Sequence, residues 1–442
     1  MKERLIPMTA LVCSIGLMSA CGGNEGTVAN SPKTVTETKG ELPAAGIDKP
    51  TELNIYYMYS NWTDEDFMKS FGSLIQRKYP NVTFKLTQKT KGSTIQDMVT
   101  AKADMDIIIA SQSQIFSLGE LGLLTDISDL IKANKFDLSR LELSAVENLR
   151  KITNGSIVGL PYKINAMAMY YNRDIFDKFG VPYMKDGLSW DDVYETARKL
   201  TRLEGGVQYW GISLNFYQNF LTLNQYSHEL INPKTRVPTF TDHFWKGYME
   251  NFVRFAEIPS NGLTREILNK QNDLFVKDKT LAIMLSTIGG VSGLSKESSH
   301  LNWDIAAYPV FKDIPDMGPP PAPTYMLLSA TSKQKREAFL AMAEMLSDES
   351  QLALSKLGNA TALSEKSIRE SFGDGLVELK GKNVKALLPS KMAVPITWNN
   401  HTIVSQNAIS NAFADVLLGA KDMNTALREA QEEAEKAIAE LK

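Results

Sequence analysis

Apolar positions along the chain change rhythm every ten to twenty residues, and each rhythm predicts an element. From Leu53 to Tyr59 the run L-N-I-Y-Y-M-Y predicts a buried strand, and Ser60-Asn61-Trp62 a turn. Thr63 with Asp66 three residues on forms a capping box. Phe67, Phe71, Leu74 and Ile75 then recur at helical spacing until Tyr79-Pro80 stops the helix. Val82, Phe84 and Leu86 alternate as a half-buried strand. Asp106 to Ala110 predicts a short, fully apolar strand followed by a polar turn, Ser111-Gln112-Ser113. Strands alternating with helices imply right-handed crossovers, and so an α/β fold with a mostly parallel sheet.

The second half repeats this grammar. Ser189 caps a helix whose first turn holds Asp191 and Asp192, where the dipole favours acids, and Val193, Ala197 and Leu200 make its buried stripe. Trp210 to Leu214 and Leu281 to Leu285 predict strands. Phe339, Met342, Ala343 and Leu346 mark one amphipathic helix, and Leu427, Ala430, Ala434, Ile438 and Leu441 a last one. Gly318 to Pro323 (G-P-P-P-A-P) predicts an extended loop, and no internal repeat is present. Open α/β sheets bind ligands outside the carboxyl ends of their strands, which singles out Asn61, Trp62, Ser111 and Gln112.

The amino terminus follows neither rhythm. Lys2 and Arg4 precede an apolar run from Leu5 to Met18, too short for the roughly 20 residues of a membrane span. Small residues follow it, so residues 1–20 read as a secretory signal. Leu17-Met18-Ser19-Ala20-Cys21 is similar to a bacterial lipobox, which implies cleavage before Cys21 and a diacylglyceryl thioether on it. Ordinary cleavage that leaves Cys21 as a free thiol is the alternative. Residues 21–51, rich in Gly, Ser, Thr, Glu, Lys and Pro, bury too little to fold and read as a flexible linker of roughly 30 Å mean reach.

Composition narrows the function. The 442 residues hold 48 Lys+Arg against 51 Asp+Glu, a formal net charge of -3, and length alone suggests two or three domains. A sequence pI near 6.0 offers no basic surface for phosphates, so nucleic acid is not an expected partner. Cys13 and Cys21 are the only cysteines, which excludes a disulfide or a thiolate metal site further on. His228, His243, His300 and His401 stand isolated, so no metal site is expected. The phosphate-loop, dinucleotide, zinc-protease, nucleophile-elbow and EF-hand motifs are absent, and no cofactor is expected. Asp64, Glu65 and Asp66 lie beside a ligand-facing turn and leave a two-carboxylate glycan-degrading enzyme open. Acids there are also what a helix dipole selects.

Several segments, in order, resemble the extracellular solute-binding proteins of ABC importers, in the maltose-binding-like group that serves carbohydrates. They are Asp106-Ile107-Ile108-Ile109 with Leu118-Gly119-Glu120-Leu121-Gly122-Leu123-Leu124; Ile157-Val158-Gly159-Leu160-Pro161-Tyr162 running into Tyr170-Tyr171-Asn172-Arg173-Asp174-Ile175-Phe176; Leu188-Ser189-Trp190-Asp191-Asp192; Phe275 to Met284; and Tyr325 to Gln351. The resemblance implies two discontinuous α/β lobes joined by a hinge, with the ligand cleft between them. It places crossovers near Asn165, Trp303 to Ala307 and Leu363, and so lobes of residues 52–164 plus 306–362 and 165–305 plus 363–442. It implies ligand contacts at Asn61, Trp62, Ser111 and Gln112 in the first lobe and at Asn215, Tyr217, Thr287 and Trp398 in the second. Trp190 falls on a structural helix start, and Trp210, Trp245 and Trp303 read as packing residues. The function implied is a monomeric, membrane-anchored receptor on the outer face of the cell that captures an oligosaccharide and delivers it to permease subunits of an ABC transporter. A secreted glycan-degrading enzyme and a receptor for a non-sugar solute are the alternatives.

Overall fold

The computed structural model describes residues 46–59, 62–297, 300–388 and 391–441. Cys21, the signal and Asn61 lie outside them. Ten strands arise among the described residues: β1 (Thr51–Tyr57), β2 (Val82–Gln88), β3 (Ile107–Ser111), β4 (Gly159–Asn165), β5 (Met167–Asn172), β6 (Arg202–Glu204), β7 (Val207–Ile212), β8 (Leu281–Thr287), β9 (Trp303–Ala306) and β10 (Ala322–Leu328). They build two five-stranded sheets, ordered β2-β1-β3-β10-β4 and β6-β7-β8-β5-β9.

In the first sheet β1 pairs in parallel with β2 and β3, while β10 runs antiparallel between β3 and β4. Four of its five strands therefore run the same way, the mostly parallel sheet expected, and β10 alone is reversed. The partners of β10 lie more than 150 residues away and leave no local signal. Ile107, Ile108 and Ile109 of β3 and Met326, Leu327 and Leu328 of β10 have no exposed surface, because both strands are flanked on each side and covered on each face. The second sheet repeats the plan, with β5 antiparallel to β8 and β9 and β7 parallel to β8.

Local chemistry sets the helices. Thr63 caps helix Asp64–Phe67 through the capping box with Asp66, and the chain then widens into a π-helical turn, Met68–Gly72. Gly72 fits that turn because a Cβ there would lie 2.3 Å from Met68 Sδ. Ser189 caps helix Trp190–Leu200 in the same way with Asp192, and Trp190, Val193, Ala197 and Leu200 are its buried face. No polar turn follows β3. Ser111 is itself the cap of helix Gln112–Glu120, so strand passes directly into helix. The longest helix, Asn400–Leu417, was not foreseen; it packs on helix Met423–Ala439 and on helix Tyr217–Thr222. Among the described residues no helix is long and apolar enough to cross a membrane.

The chain crosses from the first sheet to the second between Asn165 and Ala166, where β4 gives way to β5. The return falls later than the expected Trp303 to Ala307. Residues 307–317 still pack on second-sheet elements: Val310 pairs with Leu188 and Trp190, Ala307 N–H donates to Asp186, and Gln225 donates to the carbonyls of Pro309 and Met317. The prolines at 319–321 then lead into β10. These hydrogen bonds hold the segment to the second sheet, so the rigid proline run, and not the end of β9, carries the crossing. Residues 360–369 stay with the first lobe, Ala360, Thr361 and Leu363 pairing with Ile164, Lys163 and Leu141 and Arg369 with Glu142, and the chain is back on the second sheet at Lys382 and Asn383, which donate to Trp303 and Asp304, so the third crossing falls later than the expected Leu363.

Candidate functional site

The carboxyl ends of β1 and β3 in one sheet and of β7 and β8 in the other meet at the Asn165–Ala166 crossing. The exit of β8 is fixed there: Asn165 Oδ1 accepts from Gly289 N–H at 3.0 Å and from Ala166 N–H at 3.2 Å, and Ile288 N–H donates to the Ala166 carbonyl at 2.9 Å.

Trp62 is partly buried at the first-sheet edge. Its ring lies nearly parallel to Tyr162, with centroids 6.3 Å apart at 18°, and meets Phe67 and Phe71 edge-on and Tyr57 at a tilt. Trp62, Tyr162 and Tyr57 wall a cavity of about 240 Å³ that also touches Asp66, Lys69, Lys163, Asn359 and, from the second-sheet side, Gly289 and Leu376. A second cavity of about 520 Å³ lies on the other face of β4, between Ile164, Ala360 and Phe372, with Glu142, Lys366 and Arg369 at its rim. Burial lowers the ammonium of Lys163 to about 8 and raises the hydroxyl of Tyr162 far above its usual value.

The expected contacts divide. Ser111 sits at the edge, its Oγ 3.0 Å from Ser113 Oγ and 3.1 Å from Gln114 Oε1. Gln112 does not reach the cleft: it is 5% exposed and its Oε1 accepts from Asn148 Nδ2 at 2.7 Å. As the first residue of its helix it turns inward onto helix Leu143–Ile152, a placement that the expected turn hid. In the second lobe Asn215 follows β7, held by its N–H to Gln271 Oε1, and its own Oδ1 is buried without a partner among the described residues. Tyr217 begins its helix edge-on to Phe413 at 6.1 Å, and Thr287 ends β8 opposite Met167. Trp398 is 4% exposed within the hydrophobic core, so it shows no open ring face, contrary to expectation. The Glu229 carboxylate accepts from Thr397 N–H and Oγ1–H at 2.8 Å each and holds this segment down, while the Trp398 indole N–H has no acceptor among the described residues. Trp190, Trp245 and Trp303 are buried, and Trp210 donates to the Asn261 carbonyl.

Tyr162, Lys163 and Asn165 were missed as site residues. The available signal was a polar pair, Lys163 and Asn165, set two apart in an otherwise apolar run. Among the described residues no group of His, Cys, Asp or Glu could hold a metal ion.

The family model for bacterial extracellular solute-binding proteins matches residues 59–352, about two thirds of the chain. The chain belongs to that family. This solute-binding protein is 22% identical over 209 residues to the sn-glycerol-3-phosphate-binding periplasmic protein UgpB of Agrobacterium fabrum, covering 44% of the chain and only 46% of that relative. The UgpB of Rhizobium meliloti is 22% identical over 313 residues, 65% of the chain and 69% of the relative. Among solved structures, the ABC substrate-binding protein of Listeria monocytogenes in complex with cycloalternan superposes with a TM-score of 0.73 at 18% identity, covering 89% of this chain and 100% of that one. The maltose/maltodextrin-binding domain MalE of Bdellovibrio bacteriovorus bound to maltotriose gives 0.66 at 14% identity, covering 88% and 100%. These likenesses fix the two-lobed fold. Membership in a solute-binding family makes the protein a binding protein and not an enzyme, which removes the glycan-degrading alternative.

Proposed function

We propose that this solute-binding protein captures a carbohydrate, most simply an oligosaccharide, between its lobes and delivers it to the permease of an ABC transporter. The lobes are residues 52–164 plus 322–370 and residues 165–317 plus 382–442. The observation that carries the reading is the aromatic wall of Trp62 and Tyr162 at the crossing, facing Gly289 of the other lobe. A sugar ring presents C–H bonds on its faces and hydroxyls round its edge, and so needs flat aromatic surface beside short polar groups. Trp62 supplies the first; Ser111, Asn215 and Thr287 supply the second, and Asn61 precedes Trp62 in sequence. The sugar ligands named for the Listeria and Bdellovibrio neighbours support the same ligand class.

The protein stands outside the membrane on a lipid anchor at Cys21, the chemistry of the segment Leu17 to Cys21, and acts as a monomer without a cofactor. A thermal-shift screen over microbial and plant oligosaccharides tests the function. A ligand that binds only the folded state raises the melting temperature by mass action, by about 2.7 kcal/mol of stability at a hundred times its Kd. A screen in which no glycan shifts the transition refutes the carbohydrate reading.

A further inference from the structure

The cavity beside Trp62 carries charge that a neutral sugar does not use. Lys163 enters it from β4, placed by register: Lys163 lies opposite Thr324 of β10, Pro161 lies opposite Tyr325, and Tyr162 is the extra residue between them. A residue pushed out of the ladder re-aims the side chains around it. Both Lys163 and Tyr162 reach the cavity as a result.

Lys163 Nζ forms no hydrogen bond or ion pair with any described residue; it lies 5.5 Å from the Tyr162 ring centroid. Lys69 adds a second ammonium to the same wall, and the one carboxylate there, Asp66, is engaged as a helix cap, accepting from Thr63 N–H at 3.1 Å and from its hydroxyl at 2.9 Å. Two ammonium groups against one committed carboxylate make this a positive spot on a chain of net charge -3. Burial alone depresses the Lys163 ammonium, to about 8. A partly buried charge without a partner costs stability, and the cost is recovered only if the partner arrives from outside. An ammonium has three donors and no acceptor, which selects for an anion over a hydroxyl that must both donate and accept.

We infer that the ligand carries an anionic group, a carboxylate or a phosphate on the sugar, which Lys163 Nζ binds in this cavity while a ring face lies against Trp62. The inference rests on the carbohydrate reading above and narrows it to acidic carbohydrates.

Calorimetry on the full chain with two matched pairs tests it: trigalacturonate against neutral galactotriose, and glucose 1-phosphate against glucose. At pH 7 the acidic member of one pair binds about tenfold to a hundredfold tighter, the range of a charge-assisted hydrogen bond, and the pair that responds distinguishes carboxylate from phosphate. K163Q brings the members of that pair to within about threefold of each other, while K163R keeps the preference and controls for folding. The other titratable groups facing Lys163 are Tyr57 from β1, Asp66 and Lys69 from the helix after it, and Tyr162; β10 and the segment after helix Asp348–Lys356 present Thr324, Asn359 and Thr361, which do not titrate. Raising the pH from 7 to 9.5 therefore weakens the acidic ligand in the wild type and not in K163R. Equal binding of neutral and acidic members, unchanged in K163Q, overturns the inference and leaves the carbohydrate receptor standing. Failure of all four ligands to bind overturns both.

Discussion

Replacing Trp62 with Ala removes the largest flat surface at the proposed site while leaving every strand of both sheets in place. The indole touches Tyr57, Phe67, Phe71 and Tyr162, with ring centroids 5.1 to 6.3 Å away. Trp62 is partly buried, so the substitution has two costs. Lost packing against the four rings destabilises the fold by about 1 to 3 kcal/mol, below the roughly 3 to 5 kcal/mol of a fully buried Trp→Ala change. Loss of the platform costs binding separately: an aromatic buries about 150 to 250 Å² in full contact, and losing part of that area amounts to about 1 to 3 kcal/mol, or about tenfold to a hundredfold in Kd. Trp190→Ala is the control. Trp190 is 2% exposed among Phe220, Phe252, Phe255 and Tyr308 and does not line the cavity beside Trp62, so its loss lowers the melting temperature by about 5 to 10 °C and leaves affinity unchanged below the transition. Titration calorimetry at 25 °C on the two variants decides. If Trp62→Ala binds the best glycan as wild type does, the aromatic wall is not the sugar platform.

Four further outcomes are expected. Lys163→Met stabilises the protein at pH 7 by about 1 to 3 kcal/mol in denaturant melts; because the folded ammonium titrates near 8 and the unfolded one near 10.5, the wild type regains that stability as pH rises between those values, and the variant's advantage disappears above them. Gln112→Ala lowers stability by about 1 to 3 kcal/mol, by removing the closer acceptor of the buried Asn148 Nδ2 and leaving it only the Tyr325 hydroxyl at 3.3 Å, and leaves sugar affinity intact, which calorimetry checks. Asp106→Ala is severely destabilising, by about 3 kcal/mol or more in urea unfolding, because this buried carboxylate accepts from Asn54 N–H, Asn54 Nδ2 and Ser332 Oγ across three segments. Cys21→Ser releases the protein from membranes into the medium, read by fractionation, since two acyl chains anchor stably where one is marginal.

What the sequence discloses follows from how local each cause is. Thr63 with Asp66 and Ser189 with Asp192 announce their helices because cap and partner lie three residues apart, and the structure forms both boxes. β1, β3 and β8 are legible as apolar runs. β10 was hidden because its partners on β3 and β4 lie more than 150 residues away and its own run reads as well for a loop behind prolines. The second crossing was misplaced for a related reason: the grip of residues 307–317 on the second sheet is a set of long-range hydrogen bonds from Gln225, Asp186 and Leu188. At the site, position relative to strand ends was readable and orientation was not. Ser111 and Gln112 are adjacent, yet one sits at the edge and the other in the core, because the helix starts between them. Trp398 beside two asparagines reads as a sugar platform, whereas Glu229, distant in sequence, ties its segment down and the core covers its ring.

The central claim is that two lobes meeting at Asn165–Ala166 close on a carbohydrate held between them. A ligand gripping both lobes binds the closed arrangement better and shifts the population toward it. Small-angle scattering of the protein with and without a saturating concentration of the best glycan from the thermal-shift screen tests this most directly. The account predicts a smaller radius of gyration with the sugar bound; an identical scattering profile at saturation contradicts it.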